Sequence, residues 1–403
     1  DGYTLPFAGL LLGAGAFTDR IGAKKAFGFG VAGFALASLA CALAPSLGVL
    51  LGARVAQGAF AAMVTPSSMA LVRHAYDDPG RRAQAVSLWA TGGAVAAVCG
   101  PLLGGLLTVL DWRLIFVVNL PVAVLILLLL HAAAPSPAYW APFDWTGQAT
   151  GLLAVSGLVF AAVEAGSHGS GSRPVLIAGS IAVVSGIAFV LRQHRASHPM
   201  VPLTMFRSRT VVVAVATGFT FMIGFFGQPF VFSIFLQQER GVGPAQTGIV
   251  FLPMAVCGAI CTPFVPRLVR RVGARLPIVG GQVLMAASFI ALALVPAGVP
   301  VWVLSLMMVP IGPMAGFVNP PMSAVLLNHV DGRLAGTASG VYNTARQIGG
   351  ALAVAVFGAL LASPAGALTG MRISMVIATV LVLTTACAGL SLRNLHPQQA
   401  AVE

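Results

Sequence analysis

Charge is scarce in this chain: Lys and Arg number 22 and Asp and Glu only 10, together 8% of 403 residues. So little polar surface cannot wrap a water-soluble globule of this length, which argues against a soluble enzyme with a large buried core. Cysteine is sparse too, and Cys41, Cys99, Cys257, Cys261 and Cys387 all lie in apolar runs with no His or acid beside them. That pattern leaves no zinc site and no other metal site. No glycine-rich loop ending in Gly-Lys-Ser is present to cradle ATP phosphates. Nothing points to a catalytic centre or a cofactor. The net charge of +12 is strung along short loops rather than gathered with aromatics on one module, which excludes a nucleic-acid surface.

What the chain has is apolar length. Hydrophobic residues make up 58% and mean hydropathy is +0.94. A helix needs about 20 apolar residues to cross a bilayer. Thirteen runs qualify, near 1–17, 26–44, 47–72, 83–110, 114–131, 148–166, 174–191, 210–237, 245–266, 276–296, 300–328, 335–362 and 371–391. None alternates with the period of a barrel strand. The fold class expected is an all-α, multi-pass protein of the cell membrane, with the lipid bilayer as its solvent.

Loop charge orients the runs. If the loop holding Arg20, Lys24 and Lys25 is cytoplasmic, alternate loops place sixteen basic residues on that side. Four, Arg113, Arg173, Arg240 and Arg372, fall on the other. The chain also repeats itself. Arg20-Ile-Gly-Ala-Lys24 recurs as Arg271-Val-Gly-Ala-Arg275, the stretch from Gly58 aligns with that from Gly312, and that from Ala85 with that from Ala338, at displacements of 251, 254 and 253. Such parallel repeats are a transporter architecture. The displacement predicts an N-terminal helical half over 1–132, two inserted helices with linkers over 133–205, and a C-terminal half over 206–403. The run at 210–237 has no partner within the chain, so the repeat predicts a helix ahead of residue 1 and fourteen spans in all.

Several motifs carry a family resemblance. Gly15-x-Phe-x-Asp19-Arg20-x-Gly22-x-Lys24-Lys25 resembles the signature loop of the major facilitator superfamily. Arg54-x-x-Gln57-Gly58 is similar to its fourth-helix motif, and Cys99-Gly100-Pro101-Leu-Leu-Gly104-Gly105 to the fifth-helix motif of its proton antiporters. Asp111-Trp112-Arg113, Asn119-Leu-Pro121 and Arg346-Gln347-x-Gly349-Gly350 are similar to the fourteen-span drug:proton antiporters within it. The resemblance implies two six-helix halves plus two central helices, a small-molecule substrate and protons as partners, and a monomer as the working unit. It also implies an acidic residue in the first helix.

Candidate residues follow. Asp19 sits where a carboxylate can cap a helix, pair with a base across the loop or merely solvate a turn. The family reading makes Asp19, Arg20, Gly22 and Lys24 a gating latch, with Gly22 freeing the turn in φ. Arg54 lies roughly 10 Å inside its span at 1.5 Å rise per residue, where Arg costs about 2.5 to 3.5 kcal/mol. It either faces a cavity as a proton-coupling group or snorkels. Asp1 and Glu164 are the carboxylates nearest membrane depth, as proton carriers or as interfacial residues. Gly100-Pro101 with Gly104 and Gly105 predicts a hinge in a bent helix. Asn319-Pro320-Pro321, with Pro310 and Pro313 upstream, predicts a second broken helix. The substrate-cavity candidates are Gln57, Trp89, Phe226, Phe230, Asn319, Tyr342, Asn343 and Arg346. Phe226 and Phe230 share a face with Phe219 that lines either a cavity or lipid. The function expected is proton-coupled efflux of a drug or other small amphipathic compound; a metabolite importer of the same superfamily and a non-transporting membrane sensor are the alternatives.

Overall fold

A computed structural model describes residues 2–139, 143–169, 171–296, 298–363 and 366–392, without the side chains of 94, 97–102, 105–106, 108–109, 166–168 and 244–245. Every apolar run is helical. The rods are α1 (Thr4–Ile21), α2 (Ala23–Ala42), α3 (Leu47–Ala75), α4 (Pro79–Leu110), α5 (Leu114–His131), α6 (Trp145–His168) and α7 (Arg173–Arg195). They continue as α8 (Arg209–Gln238), α9 (Pro244–Cys261 running on to Val265–Val272), α10 (Arg275–Ala293), α11 (Val301–Asn328), α12 (Ala335–Leu361) and α13 (Ala367–Gly389). Among the described residues eleven helices are long and apolar enough to cross a membrane. α1 falls short because Asp19 and Arg20 occupy its last turn.

Local chemistry sets the helix ends. The Ser46 hydroxyl accepts from the Val49 N–H at 3.4 Å, and Asp78 from Arg81 N–H at 2.6 Å, so α3 and α4 carry their own N-caps. Gly22 and Gly273, which the repeat aligns, both have left-handed φ, +88° and +78°. That conformation turns the chain sharply between α1 and α2 and again between α9 and α10.

Prolines mark where the long helices are interrupted and where they run on. α4 runs unbroken from Pro79 to Leu110 across Gly100-Pro101. α11 is interrupted at Val309–Ile311, where Pro310 and Pro313 cluster, and its helix then continues through Asn319-Pro320-Pro321 to Asn328. A further interruption at Thr262–Phe264 in α9, around Pro263, was not expected. A lone proline costs one backbone bond, which a membrane helix accommodates; closely spaced prolines remove several bonds from one turn.

The second half holds the main core, built on Phe221, Phe232, Phe289 and Phe357 from α8, α10 and α12 with Met285, Met308 and Met375. The first half's own cluster is small, Leu11, Ala14 and Ala62. The central pair α6 and α7 pack on each other, and α6 also on α1 and α12. Their inner ends are clipped by Asp144, which accepts from the Gly147 N–H, from Arg192 at 3.0 Å and from Gln193 at 3.1 Å. Burial pushes this carboxyl's pKa up, but those hydrogen bonds outweigh it and hold the group below its ordinary range.

Candidate functional site

The two halves meet most closely where glycines face each other. A Cβ on Gly336 would lie 2.6 Å from the Gly15 carbonyl oxygen, and one on Gly340 would lie 2.7 Å from that of Leu11. α1 and α12 therefore touch backbone to backbone, as small residues permit in membranes. This closeness brings Asp19 onto the start of α12. Its Oδ1 accepts from Gly336 N–H at 2.7 Å, and its Oδ2 accepts from the Thr337 N–H at 2.7 Å and hydroxyl at 2.8 Å. α12 begins at Leu334 without a side-chain cap of its own. Asp19 thus leaves the next helix uncapped and satisfies orphan amides of a helix more than 300 residues away in sequence.

The rest of the signature loop points elsewhere. Arg20 lies over the Phe143 ring at 5.1 Å. Lys24 Nζ donates to the His131 carbonyl at 3.1 Å and to that of Ala133, closing the end of α5, and its N–H donates to Ser136 at 3.2 Å. A Cβ on Gly22 would press within 2.9 Å of the Ser136 carbonyl oxygen. The expected four-residue latch therefore divides: Asp19 spans the halves, while Arg20, Gly22 and Lys24 brace the strap that follows α5.

Two further ties close the inner end between the halves. Arg73 Nε donates to the Leu327 carbonyl at 3.1 Å, and Arg82 Nη1 donates to Asn328 Oδ1. Around them Ala23, Met69, Ala70, Val86, Ala324, Leu327 and Ala335 form one apolar plug drawn from both halves.

Above this plug a narrow cleft lies between α3, α4, α11 and α12. Met69, Trp89, Ser323, Leu326, Ser339, Tyr342, Asn343 and Arg346 line it. Tyr342 donates to Asn319 Oδ1 at 3.1 Å, and Arg346 Nη1 donates to Asn343 Oδ1 at 3.0 Å, with its guanidinium 5.7 Å from the Tyr342 ring. The structure therefore gathers Trp89, Asn319, Tyr342, Asn343 and Arg346 into one place. Met69 and Ser323 were missed. The repeat carried the signal, because Met69 and Ser323 are mates at 254, as are Arg73 and Leu327, while Trp89 and Tyr342 are mates at 253. Mates that meet face to face lie near the axis relating the halves.

Other candidates lie apart from this cleft. Gln57 is buried; it accepts from Arg54 Nη1 at 2.6 Å and donates to Ser38 at 2.7 Å. Arg54 also stacks over Tyr3 at 4.6 Å and faces Phe116 at 5.8 Å. Arg54 and Gln57 thus form one polar cluster inside the first half. Phe219 and Phe230 pack against the second-half core, and Phe226 lies against Gly350. The reason is the fit of α8 on α12, where Gly349 lets the helices meet at the Phe219 backbone. Glu164 is half-buried toward the outer end of α6. Asp1 lies outside the described residues, as do the side-chain surroundings of Gly100, Pro101 and Gly105. A Cβ added at Gly92 or Gly93 would meet nothing within 4 Å. No group of three or more metal-ligating side chains occurs among the described residues.

Comparison with known proteins bears on this geometry. A family model described as Major Facilitator Superfamily matches residues 2–354. The chain is 33% identical over 367 residues to the methylenomycin A resistance protein of Streptomyces coelicolor, an alignment covering 90% of this chain and 77% of that one. It is 34% identical over 372 residues to the multidrug resistance protein Stp of Mycobacterium tuberculosis, covering 90% and 68%. The crystal structure of the human organic anion transporter MFSD10 superposes with a TM-score of 0.68 over 96% of this chain and 82% of that one, at 18% identity. At that identity the likeness speaks for the fold alone.

Proposed function

The chain belongs to the major facilitator superfamily of multi-pass membrane transporters, and on that footing we propose that it exports a small apolar or amphipathic compound in exchange for protons, by alternating access. The observation that carries this reading is the cleft between the halves, closed on the cytoplasmic side by Asp19 on Gly336 and Thr337, Arg73 on Leu327 and Arg82 on Asn328. Among the described residues the side-chain ties between the halves lie at the inner end, as in one of two states, and releasing them opens the cleft to the cytoplasm. Drug-resistance proteins among the relatives support the outward direction.

In this mechanism the halves over 1–132 and 206–403 rock about the axis through Trp89 and Tyr342, and the central pair rides on α1 and α12. Substrate enters the cleft from the inner side when Asp19 leaves the start of α12. Trp89 and Met69 offer apolar surface, and Asn319, Tyr342, Asn343 and Arg346 offer polar contacts, a mixture suited to small organic ligands. The Arg54, Gln57 and Ser38 cluster is the coupling candidate, since a half-buried guanidinium held inside the first half responds to a charge gained or lost nearby. The working unit is a monomer, because the residues that line the cleft come from both halves of one chain.

Everted membrane vesicles test this reading. With a preformed proton gradient, adding a transported compound should release protons and accumulate that compound inside, and Asp19→Asn should reduce both at normal abundance. Binding of the compound to purified protein without any flux in vesicles would overturn it.

A further inference from the structure

The inner end of α2 borders a cavity that the transport cleft does not use. Lys24, Lys25 and Gly28 of α2 and Leu127, Leu130 and His131 of α5 line a space of about 400 Å³, within the range of ligand-binding sites. Its rim is cationic and its wall is apolar. Lys24 Nζ donates to the His131 and Ala133 carbonyls, neutral acceptors that hold the ammonium in place and leave its charge. Lys25 is exposed. Asp19, the acid of the same loop, spends its carboxylate on Gly336 and Thr337 of the other half. A Cβ on Gly28 would meet Leu130 at 3.1 Å, so glycine keeps the space between the two helices open.

The cavity opens away from the bundle. At about 3.6 residues per turn, Val124, Leu127 and His131 share one face of α5, and Val124 is 57% exposed. On α2, Phe29 and Leu36 are likewise exposed, while Gly30 packs against Met63 and Val64 of α3. A separate cavity on the inner side of the pair takes Val31, Val122 and Ile126 together with Phe7 of α1. We infer that the outward cavity seats one anionic phospholipid, with its phosphate between Lys24 and Lys25 and an acyl chain along Leu127 and Val124. Lysine binds phosphate as a compact point charge with three donors. A zwitterionic headgroup would bring its own cation beside Lys25, and a soluble phosphate would leave the wall of Leu127 and Leu130 in water. Loop charge assigns this end of the helices to the cytoplasmic leaflet, where anionic lipids and basic side chains meet. The inference goes beyond the export reading and does not depend on it.

The test measures lipid preference beside the cavity. Purified full-length protein is placed in bilayers mixing dioleoyl phosphatidylglycerol with dioleoyl phosphatidylcholine, one of the two brominated in its acyl chains to quench tryptophan. Val124→Trp reports on the cavity and Ile187→Trp on α7, each with the native tryptophans replaced by Phe. Ile187 is 58% exposed, and the last turn of its helix is also basic, with Arg192, His194 and Arg195. Preference for phosphatidylglycerol should be about fivefold greater at Val124 than at Ile187, the weight of one further basic side chain held at the surface. Lys24→Gln with Lys25→Gln should erase that excess, Lys25→Gln alone should halve it, and Lys25→Arg should keep it. Equal preference at the two positions, or an excess that survives loss of both lysines, overturns the inference. So does glycerol 1-phosphate that abolishes the excess at millimolar concentration, since the site would then take a soluble phosphate. Native mass spectrometry with the native tryptophans in place repeats the comparison: the wild type should retain more phosphatidylglycerol than Lys25→Gln, and equal retention would count against the site.

Discussion

The repeat relates two crossings between the halves, and the structure builds them differently. At one, α1 meets α12 backbone to backbone through Gly15, Gly336 and Gly340, and Asp19 caps α12 from the opposite half. At the other, α4, the repeat mate of α12, meets α9 and α11. It begins with its own cap, Asp78, and reaches across through the long side chain of Arg82. A Cβ added at its Gly92 or Gly93 would meet nothing within 4 Å. Small residues make a tight crossing only when the facing helix is small at the same level. Only a tight crossing lets a short carboxylate cap a helix of the other half. The α4 crossing needs a seven-atom side chain to do what Asp19 does with two carbons.

The comparison breaks most sharply by filling space. Gly340→Val places a branched side chain against the Leu11 carbonyl, an overlap for which overpacking costs of about 1–3 kcal/mol are typical. Export should be lost, with a lowered melting temperature of the purified protein. Gly93→Val on α4 should leave both near wild type; equal damage from the two would show that the crossings are built alike.

Next in size is the cap. Asp19→Asn removes a charged acceptor whose hydrogen bonds are worth about 1.5–3 kcal/mol each to a charged group, so the inner end should open. A cysteine introduced at Ala324 in a cysteine-free background should then react faster with a membrane-impermeant thiol reagent added from the cytoplasmic side. Asp78→Asn, acting on the start of one helix only, should change that rate far less. Identical rates in the two variants would mean the cap does not hold the halves together.

Breaking the α4 tie is a smaller step. Asn328→Ala removes one acceptor from Arg82, which keeps the Tyr76 and Asp77 carbonyls. Labelling at Ala324 should rise less than with Asp19→Asn; a larger rise would make α4 the principal tie.

The smallest effect belongs to the central pair, which lies outside both crossings. Asp144 pairs with Arg192, whose side chain is 45% exposed, so their ion pair contributes at most about 1 kcal/mol. With its pKa held low when folded, Asp144 stabilises above its unfolded value of about 3.9 and loses that contribution as pH falls through the lower folded value. Thermal stability of the wild type relative to Asp144→Asn should therefore be flat from about pH 5 to 8 and converge only in stronger acid. A difference that vanished near neutrality would contradict the placement of this carboxylate.

Much of the site was legible in the residues, though not their partners. Arg346, Tyr342 and Trp89 could be named because a charge and polar aromatics are costly at membrane depth, and cost marks them as facing something other than lipid. Asp19 could be named because a carboxylate stood out among basic loop residues, but its partner at Gly336 and Thr337 was not visible from the loop. Phe226, Phe230 and Gln57 share the composition of cleft residues yet lie elsewhere: an apolar side chain carries no mark of which neighbour it meets, and a buried amide such as Gln57 needs only polar partners, which Arg54 and Ser38 supply.

The sequence by itself determined the helices and their order. Hydropathy and loop charge act on each segment separately against the bilayer, and a short run of residues is enough to express them. The tertiary structure alone decided which crossing is tight, that Asp19 caps α12, that α11 is interrupted at its upstream prolines over Val309–Ile311 and helical through Asn319-Pro320-Pro321, and that Met69 and Ser323 face each other across the cleft. Between helices in lipid there is no hydrophobic force to choose partners. Close approach, hydrogen bonds and shape make that choice, and these exist only once the helices are side by side.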